Sequence, residues 1–364
     1  MNITFKRLGS VAALAIVGSI VLSSCAANEG GTTPDESVST LSGTIDASGA
    51  SSQGAAQEAW IAAFQTENPD VNINYSPDGS GAGRESFIAG GVSFAGTDSS
   101  LKDEEIAAGF AGCVPDSGYL EVPNYISPIA VIFNVEGVDE LNLDAATIAG
   151  IFKGTITKWN DPAIVALNED AELPAETITA VHRSDDSGTT KNFADYLNKV
   201  APEVWDAAPA DPFPYAVGEA AAKTAGVVDA VKNGVNTIGY ADASAAGDLG
   251  VAKLKVGDEF VSYTAEAAAA VVEGSPFVDG RPDTDLAIKL DRETTDPTHY
   301  PLVLVSYIIT CTEFVDAEQG ELVKGYLTYI TSAEGQEAAA GAAGSAPLSA
   351  DLSAKVATAI ATIK

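Results

Sequence analysis

The chain has 364 residues, 46% of them hydrophobic, which is enough for two domains each with a core of its own. Its 51 acidic residues outnumber 19 lysines and arginines, for a formal net charge of -32. That balance argues against nucleic acid or an anionic membrane surface as partner. It does not exclude a small anion, because a buried site feels its own donors more than screened surface charge.

Residues 1–25 have the form of an export signal. Lys6 and Arg7 supply a positive end and Val11 to Leu22 an apolar run, too short and wrongly flanked for a spanning helix. Leu22-Ser23-Ser24-Cys25 resembles a bacterial lipobox. Cys25 would then be the lipidated first residue of the mature chain, held on the extracytoplasmic face of the cell membrane by two acyl chains. A plain secretory signal with a chance cysteine fits that placement less well. Residues 26–41, rich in Gly, Thr, Ser and acids, read as a flexible tether. Cys113 and Cys311 are the other two cysteines. In an oxidising exterior two leftover cysteines more often pair than stay free, so a disulfide between them is expected.

Beyond the tether, strands and helices alternate, which predicts an α/β fold with a largely parallel sheet. Thr44 to Ala47 reads as a strand and the Ala56, Trp60, Ala63, Phe64 spacing as a helix, with Ser51 and Ser52 in the turn between. A second unit runs from the alternating Val71–Tyr75 stretch through Asp78-Gly79-Ser80-Gly81-Ala82-Gly83 to a helix carrying Phe87 and Ile88. Its glycines follow neither the dinucleotide nor the nucleophile-elbow spacing. Val92 to Ala95 is a third strand, ending at Asp98, after which Ser99 or Ser100 is expected to cap a helix. On local grounds Asp98 is an ordinary cap or turn residue. Tyr119–Tyr125 and Pro128–Val135 are extended and apolar, and Asp144 caps a helix that leads to a packed Trp159.

The richest turn follows the strand Thr177–Val181. It reads His182-Arg183-Ser184-Asp185-Asp186-Ser187-Gly188-Thr189, ahead of a helix with Phe193, Tyr196, Leu197 and Val200 on one face. A helix start offers unpaired N–H groups and a positive dipole end, and Arg183 adds a fork of donors suited to two oxygens. The same residues would equally make a capped helix whose arginine simply pairs with Asp185. His182, next to Arg183 on a strand, should point to the opposite face as a structural residue. Farther on, helices are expected over Ala222–Val231, Ala265–Val272 and Leu352–Ile363, and strands over Val235–Tyr240, Glu259–Tyr263 and Pro301–Thr310. Leu322, Tyr326 and Ile330 mark one more helix. Two histidines are too few for a histidine-based zinc site, Asp279–Asp285 lacks calcium-loop spacing, and no cofactor is indicated.

A family resemblance covers most of the chain after the tether, and two segments are its most specific parts. The Ile148 to Leu167 segment resembles an Ile-Phe-x-Gly-x-Ile-x-x-Trp-x-Asp-Pro-x-Ile pattern, and Arg183 to Thr189 an Arg-x-Asp-x-Ser-Gly-Thr pattern, of the substrate-binding lipoprotein of the bacterial phosphate-specific ABC importer; Asn236 to Tyr240 also resembles that family's glycine–aromatic strand. The resemblance implies two α/β lobes joined by two crossing strands in the manner of type II periplasmic binding proteins, with phosphate in the cleft and no chemistry performed. It implies one lobe from residues 42–127 with 304–364, and a second from 128–303. It places the ligand-binding set on Ser51, Ser52, Ser80, Asp98, Arg183, Ser187, Gly188 and Thr189, with Asp185 orienting the arginine. The first loop departs from the family pattern, with serines where a threonine and an aromatic residue stand. Partners implied are inorganic phosphate and the permease subunits, with the chain acting as a monomer. Three other readings compete: a binder of another oxyanion or a phosphorylated metabolite, a phosphatase or serine hydrolase, and a structural surface lipoprotein.

Overall fold

The computed structural model describes residues 41–364; the signal, the lipidated Cys25 and all of the tether except Leu41 lie outside the described residues. In chain order the elements are β1 (Gly43–Gly49), a 3-10 turn (Ser51–Gln53), α1 (Gly54–Glu67), β2 (Val71–Ser76), α2 (Ser80–Ile88), β3 (Phe94–Thr97), α3 (Asp103–Ala108) and β4 (Tyr119–Asn134). Next come β5 (Asn142–Leu143), α4 (Ala145–Lys153), α5 (Pro162–Val165), β6 (Thr179–Arg183), α6 (Gly188–Val200), β7 (Glu219–Ala221), α7 (Lys223–Asn233) and β8 (Thr237–Asp242). After a second 3-10 turn (Ala243–Ala245), the chain continues with β9 (Gly250–Val251), β10 (Lys253–Val256), β11 (Glu259–Val261) and α8 (Ala265–Glu273). It closes with β12 (Val303–Cys311), α9 (Ala317–Ile330), α10 (Ala333–Ala343) and α11 (Ala350–Ile360).

One curled sheet runs β2-β1-β3-β12-β4-β8-β6-β7, with β9 added to β4. Its two ends are parallel, as the alternation predicts: β1 with β2 and β3, and β6 with β7 and β8. The middle is not. β12 runs antiparallel to β3 and β4, and β4 antiparallel to β8. The two extended segments expected at Tyr119–Tyr125 and Pro128–Val135 are therefore one strand of 16 residues. Residues Tyr119–Pro128 of β4 pair with β12, and Ile129–Asn134 with β8. Pro123 survives inside it at a register shift, where Ser306 faces Tyr125 and the next residue, Tyr307, faces Pro123. A bulge is where a residue without an N–H can sit in a ladder, and the bulged Asn124 turns its amide to Gln53.

Apolar burial follows the sequence periodicity. Trp60, Trp159 and Trp205 are fully buried, and β12 is buried along its whole length, as expected of a strand covered on both faces. Cys113 and Cys311 are bonded, with Cα atoms 5.3 Å apart. The helix expected to start at Ser99 or Ser100 instead starts at Asp103, after Lys102. Leu101 is drawn into the core and donates its N–H to Glu121, so the chain stays extended past the two serines.

Candidate functional site

Every predicted loop leaves the carboxyl end of a strand, where open α/β sheets place their ligands. The turn after β1 begins a 3-10 helix at Ser51, the loop after β2 begins α2 at Ser80, β3 ends beside Asp98, and the loop after β6 begins α6 at Gly188. The N–H groups of Ser51, Ser52, Ser80, Gly188 and Thr189 have no acceptor among the described residues. Three helix starts with free donors thus face one space.

Asp98 lies at the centre, 4% exposed. Its Oδ1 accepts hydroxyl hydrogen bonds from Ser52 and Ser306, both at 2.6 Å, and its Oδ2 accepts one from Thr189 at 3.0 Å. Its own N–H donates to Ser80 Oγ at 3.1 Å, and its carbonyl takes the Asn192 amide at 2.7 Å. A carboxylate offers about four lone-pair positions, so one acceptor position remains. Burial raises the Asp98 pKa, outweighing the hydrogen bonds from Ser306, Ser52 and Thr189 and the charge of Arg183.

Arg183, 3% exposed at the end of β6, is held by Asp185: Nε donates to one carboxylate oxygen at 2.8 Å and Nη2 to the other at 2.5 Å. Asp185 also accepts the N–H of Lys223 at 2.9 Å. Burial pushes the Asp185 carboxyl up, but the Arg183 guanidinium beside it wins and holds it below its ordinary value. Nη1 of Arg183 makes no hydrogen bond among the described residues. Two glycines let the loops meet. A Cβ on Gly188 would stand 2.6 Å from Asp98 Cβ and 2.7 Å from Ser80 Oγ, and one on Gly79 would stand 2.6 Å from Asp185 Oδ2. Ser187 caps α6, its Oγ accepting from the Thr190 N–H.

These loops stand beside two sets of known proteins. A PBP superfamily domain matches residues 34–334. The phosphate-binding protein PstS3 of Mycobacterium bovis is 34% identical over 336 residues, covering 88% of this chain and 90% of the relative, and PstS2 of the same organism is 32% identical over 99% of both. The chain belongs to the PstS phosphate-binding protein family. Its fold is the two-lobe periplasmic one. A high-affinity periplasmic phosphate-binding protein, PfluDING, solved with phosphate, superposes with a TM-score of 0.72 at 22% identity, covering 87% of this chain and 93% of that one.

The family segment around Trp159 lies beneath the site. Gly154 takes φ 79° as the left-handed C-cap of α4, and Phe152 stands edge-on to Phe193 (4.9 Å) and Tyr240 (5.6 Å). Tyr240 stacks on Phe193 at 4.2 Å, accepts the Arg183 N–H, and shares a 2.7 Å hydrogen bond with Thr190, so the aromatic stack fixes both β6 and the start of α6.

Ser52, Ser80, Asp98, Arg183, Gly188 and Thr189 are thus brought together. Ser51 differs, because its hydroxyl meets Thr224 Oγ1 at 2.9 Å and accepts the Thr224 N–H, a contact with the start of α7 instead of with Asp98. Sequence reasoning missed Ser306, whose signal was a single serine inside the run Val303–Ile309. It also missed Asp211, which accepts Arg84 at 2.7 Å and Ser99 at 2.5 Å and lies in a proline-rich loop without periodicity.

Proposed function

We propose that this protein binds inorganic phosphate outside the cytoplasm and delivers it to the permease of an ABC importer, without catalysing a reaction on it. The reading is carried by one arrangement: a buried carboxylate with a spare acceptor position, opposite an arginine and a ring of helix-start N–H groups. Phosphate near neutral pH keeps at least one proton, and Asp98 can accept that proton's hydrogen bond. Sulfate keeps none and would face Asp98 as a repelling anion. Arg183, the N–H groups of Ser52, Ser80, Gly188 and Thr189, and the site hydroxyls supply attraction, while Asp98 supplies rejection. Ser51 and Ser187 act at the edge, one tying the first loop to α7 and the other capping α6.

A serine hydrolase of the Ser-His-Asp type would need a histidine beside one of the serines. His182 Nδ1 bonds the Arg183 carbonyl at 2.9 Å while its ring stacks on Phe213, and His299 bonds Thr294, which supports binding over hydrolysis. We place one lobe at residues 42–127 with 304–364 and the other at 128–303, hinged where β4 exchanges β12 for β8 at Pro128 and Ile129. Lipidation of Cys25 would hold this monomeric binder at the outer face of the cell membrane.

The deciding experiment is competition calorimetry on Asp98→Asn. A site built around a ligand hydroxyl rejects an analogue lacking it by roughly 10⁴ or more. The variant should bind sulfate and phosphate with affinities that approach each other. Discrimination unchanged from the parent chain would refute the assignment.

A further inference from the structure

Asp98 also borders a cavity of about 210 Å³ to which Arg183, Ser80 and Thr189 contribute nothing. Its charged wall comes from Lys191, Asp195 and Lys199 on α6, and from Lys289 and Arg292 in the segment before β12. Four cations stand there against the two carboxylates Asp98 and Asp195, an excess of two positive charges in a chain whose net charge is -32. Asp195 is already satisfied, taking Arg292 at 2.6 Å and Lys199 at 3.1 Å. Lys191 is not. Among the described residues its ammonium has no hydrogen-bond or ion-pair partner. It feels attraction from Asp211 and Glu121 and repulsion from Arg84 and Lys102, and its burial lowers its pKa. The side chain is only partly buried, so its ammonium is open to a solvent-borne anion, and pairing with one satisfies a charge that no protein group among the described residues balances.

The cavity runs from Lys289, which is exposed, to Asp98, which is buried. Its volume exceeds that of one water, about 30 Å³, several times over, so a small hydrated oxyanion fits. We propose that it is an anion-capture vestibule: phosphate approaching this acidic protein is first held beside Lys191 and then passes Asp98 into the main pocket. Arg292 positions the inner wall, since its Nη2 donates to Asn192, whose amide in turn binds the Asp98 carbonyl. The proposal rests on the phosphate reading, and adds that capture and final binding use different cations.

The test measures association and dissociation rates of radiolabelled inorganic phosphate by rapid filtration of the full chain, across a range of ionic strength. Lys191→Gln should lower the association rate about tenfold at low salt, with the difference from the parent shrinking as salt rises. Its dissociation rate should change by less than about twofold, because charges that steer act on approach. Lys191→Arg should keep the parent's rate. Lys289→Gln, at the exposed mouth where folding is not at stake, should slow association by a smaller factor. Unchanged association in both glutamine variants overturns the proposal, as does a Lys191→Gln defect carried wholly by faster release, which would put Lys191 in the main pocket. A parent chain that fails to retain phosphate at all would instead overturn the function from which the vestibule was inferred.

Discussion

At the scale of single residues, the site depends as much on absent atoms as on present ones. Gly188 is a helix-start residue whose N–H has no acceptor among the described residues, and it lets α6 close on Asp98 and Ser80 only because it lacks a Cβ. Gly188→Ala should push those groups apart, with a stability loss of about 1–3 kcal/mol, typical of overpacking, and weaker phosphate binding. Calorimetry and thermal melting of the variant read both effects; parental affinity would show that the close approach is not needed. The Ser-Gly-Thr triplet was legible in the sequence because its residue types have few other reasons to stand together. Ser306 was not legible. Its neighbours Val305 and Tyr307 announce only a buried strand, and its partner Asp98 lies 208 residues away.

At the scale of elements, each strand end was readable from alternation and each helix start from hydroxyls and glycines, and these gave β1, β2, β3, β6 and α6 close to their observed places. What alternation could not reveal was pairing. β4 reads as two strands because Pro123 and Pro128 interrupt it, yet the ladder with β12 carries it through by means of the bulge. The end of β8 carries a further consequence. Asp242 is fully buried, accepts from Tyr125 at 3.0 Å and from Ser244, and has no partner for Oδ2 among the described residues. Burial pushes its pKa up to about 6, from an ordinary 3.8. Between pH 4 and 6 the folded chain therefore holds a proton that the unfolded chain lacks, so this group's contribution to stability falls as pH rises through that window. Above pH 6 the full cost applies, roughly 3 kcal/mol at about 1.4 kcal/mol per pKa unit. Asp242→Asn should be more stable than the parent at pH 7.5, with a flatter dependence of denaturation midpoint on pH between 4 and 6. A variant less stable at pH 7.5 and equally pH-dependent would contradict this account.

For the whole molecule, segments distant in sequence are joined at several points that the sequence pattern does not mark. Arg84 on α2 is 2% exposed and binds Glu105 at 3.0 Å and Asp211 at 2.7 Å, while Lys223 at the start of α7 reaches Asp78 at 2.8 Å. The buried pair is the stronger constraint, since the Lys223–Asp78 pair is nearly half exposed and screened. The Cys113–Cys311 bond spans 198 residues and ties the end of β12 to the segment ahead of β4. Replacing both cysteines with serine should lower unfolding stability by roughly 2–5 kcal/mol through the freed unfolded chain. Chemical denaturation of the double variant measures it, and an unchanged midpoint would mean that the surrounding β-ladder alone fixes this edge.

The sequence by itself determined the local chemistry: which turns carry donors, which carboxylate ends a strand, which segments must be buried, and which family the motifs resemble. Those properties follow from residue type and short spacing, and both are written in the chain. Only the tertiary structure decided that the three loops share one space, that Ser306 rather than Ser51 completes the ring around Asp98, and that Lys191 has no partner among the described residues. Such facts depend on strand pairing and on contacts between residues a hundred or more positions apart, where the free energy belongs to packing of the whole and no local pattern reports it.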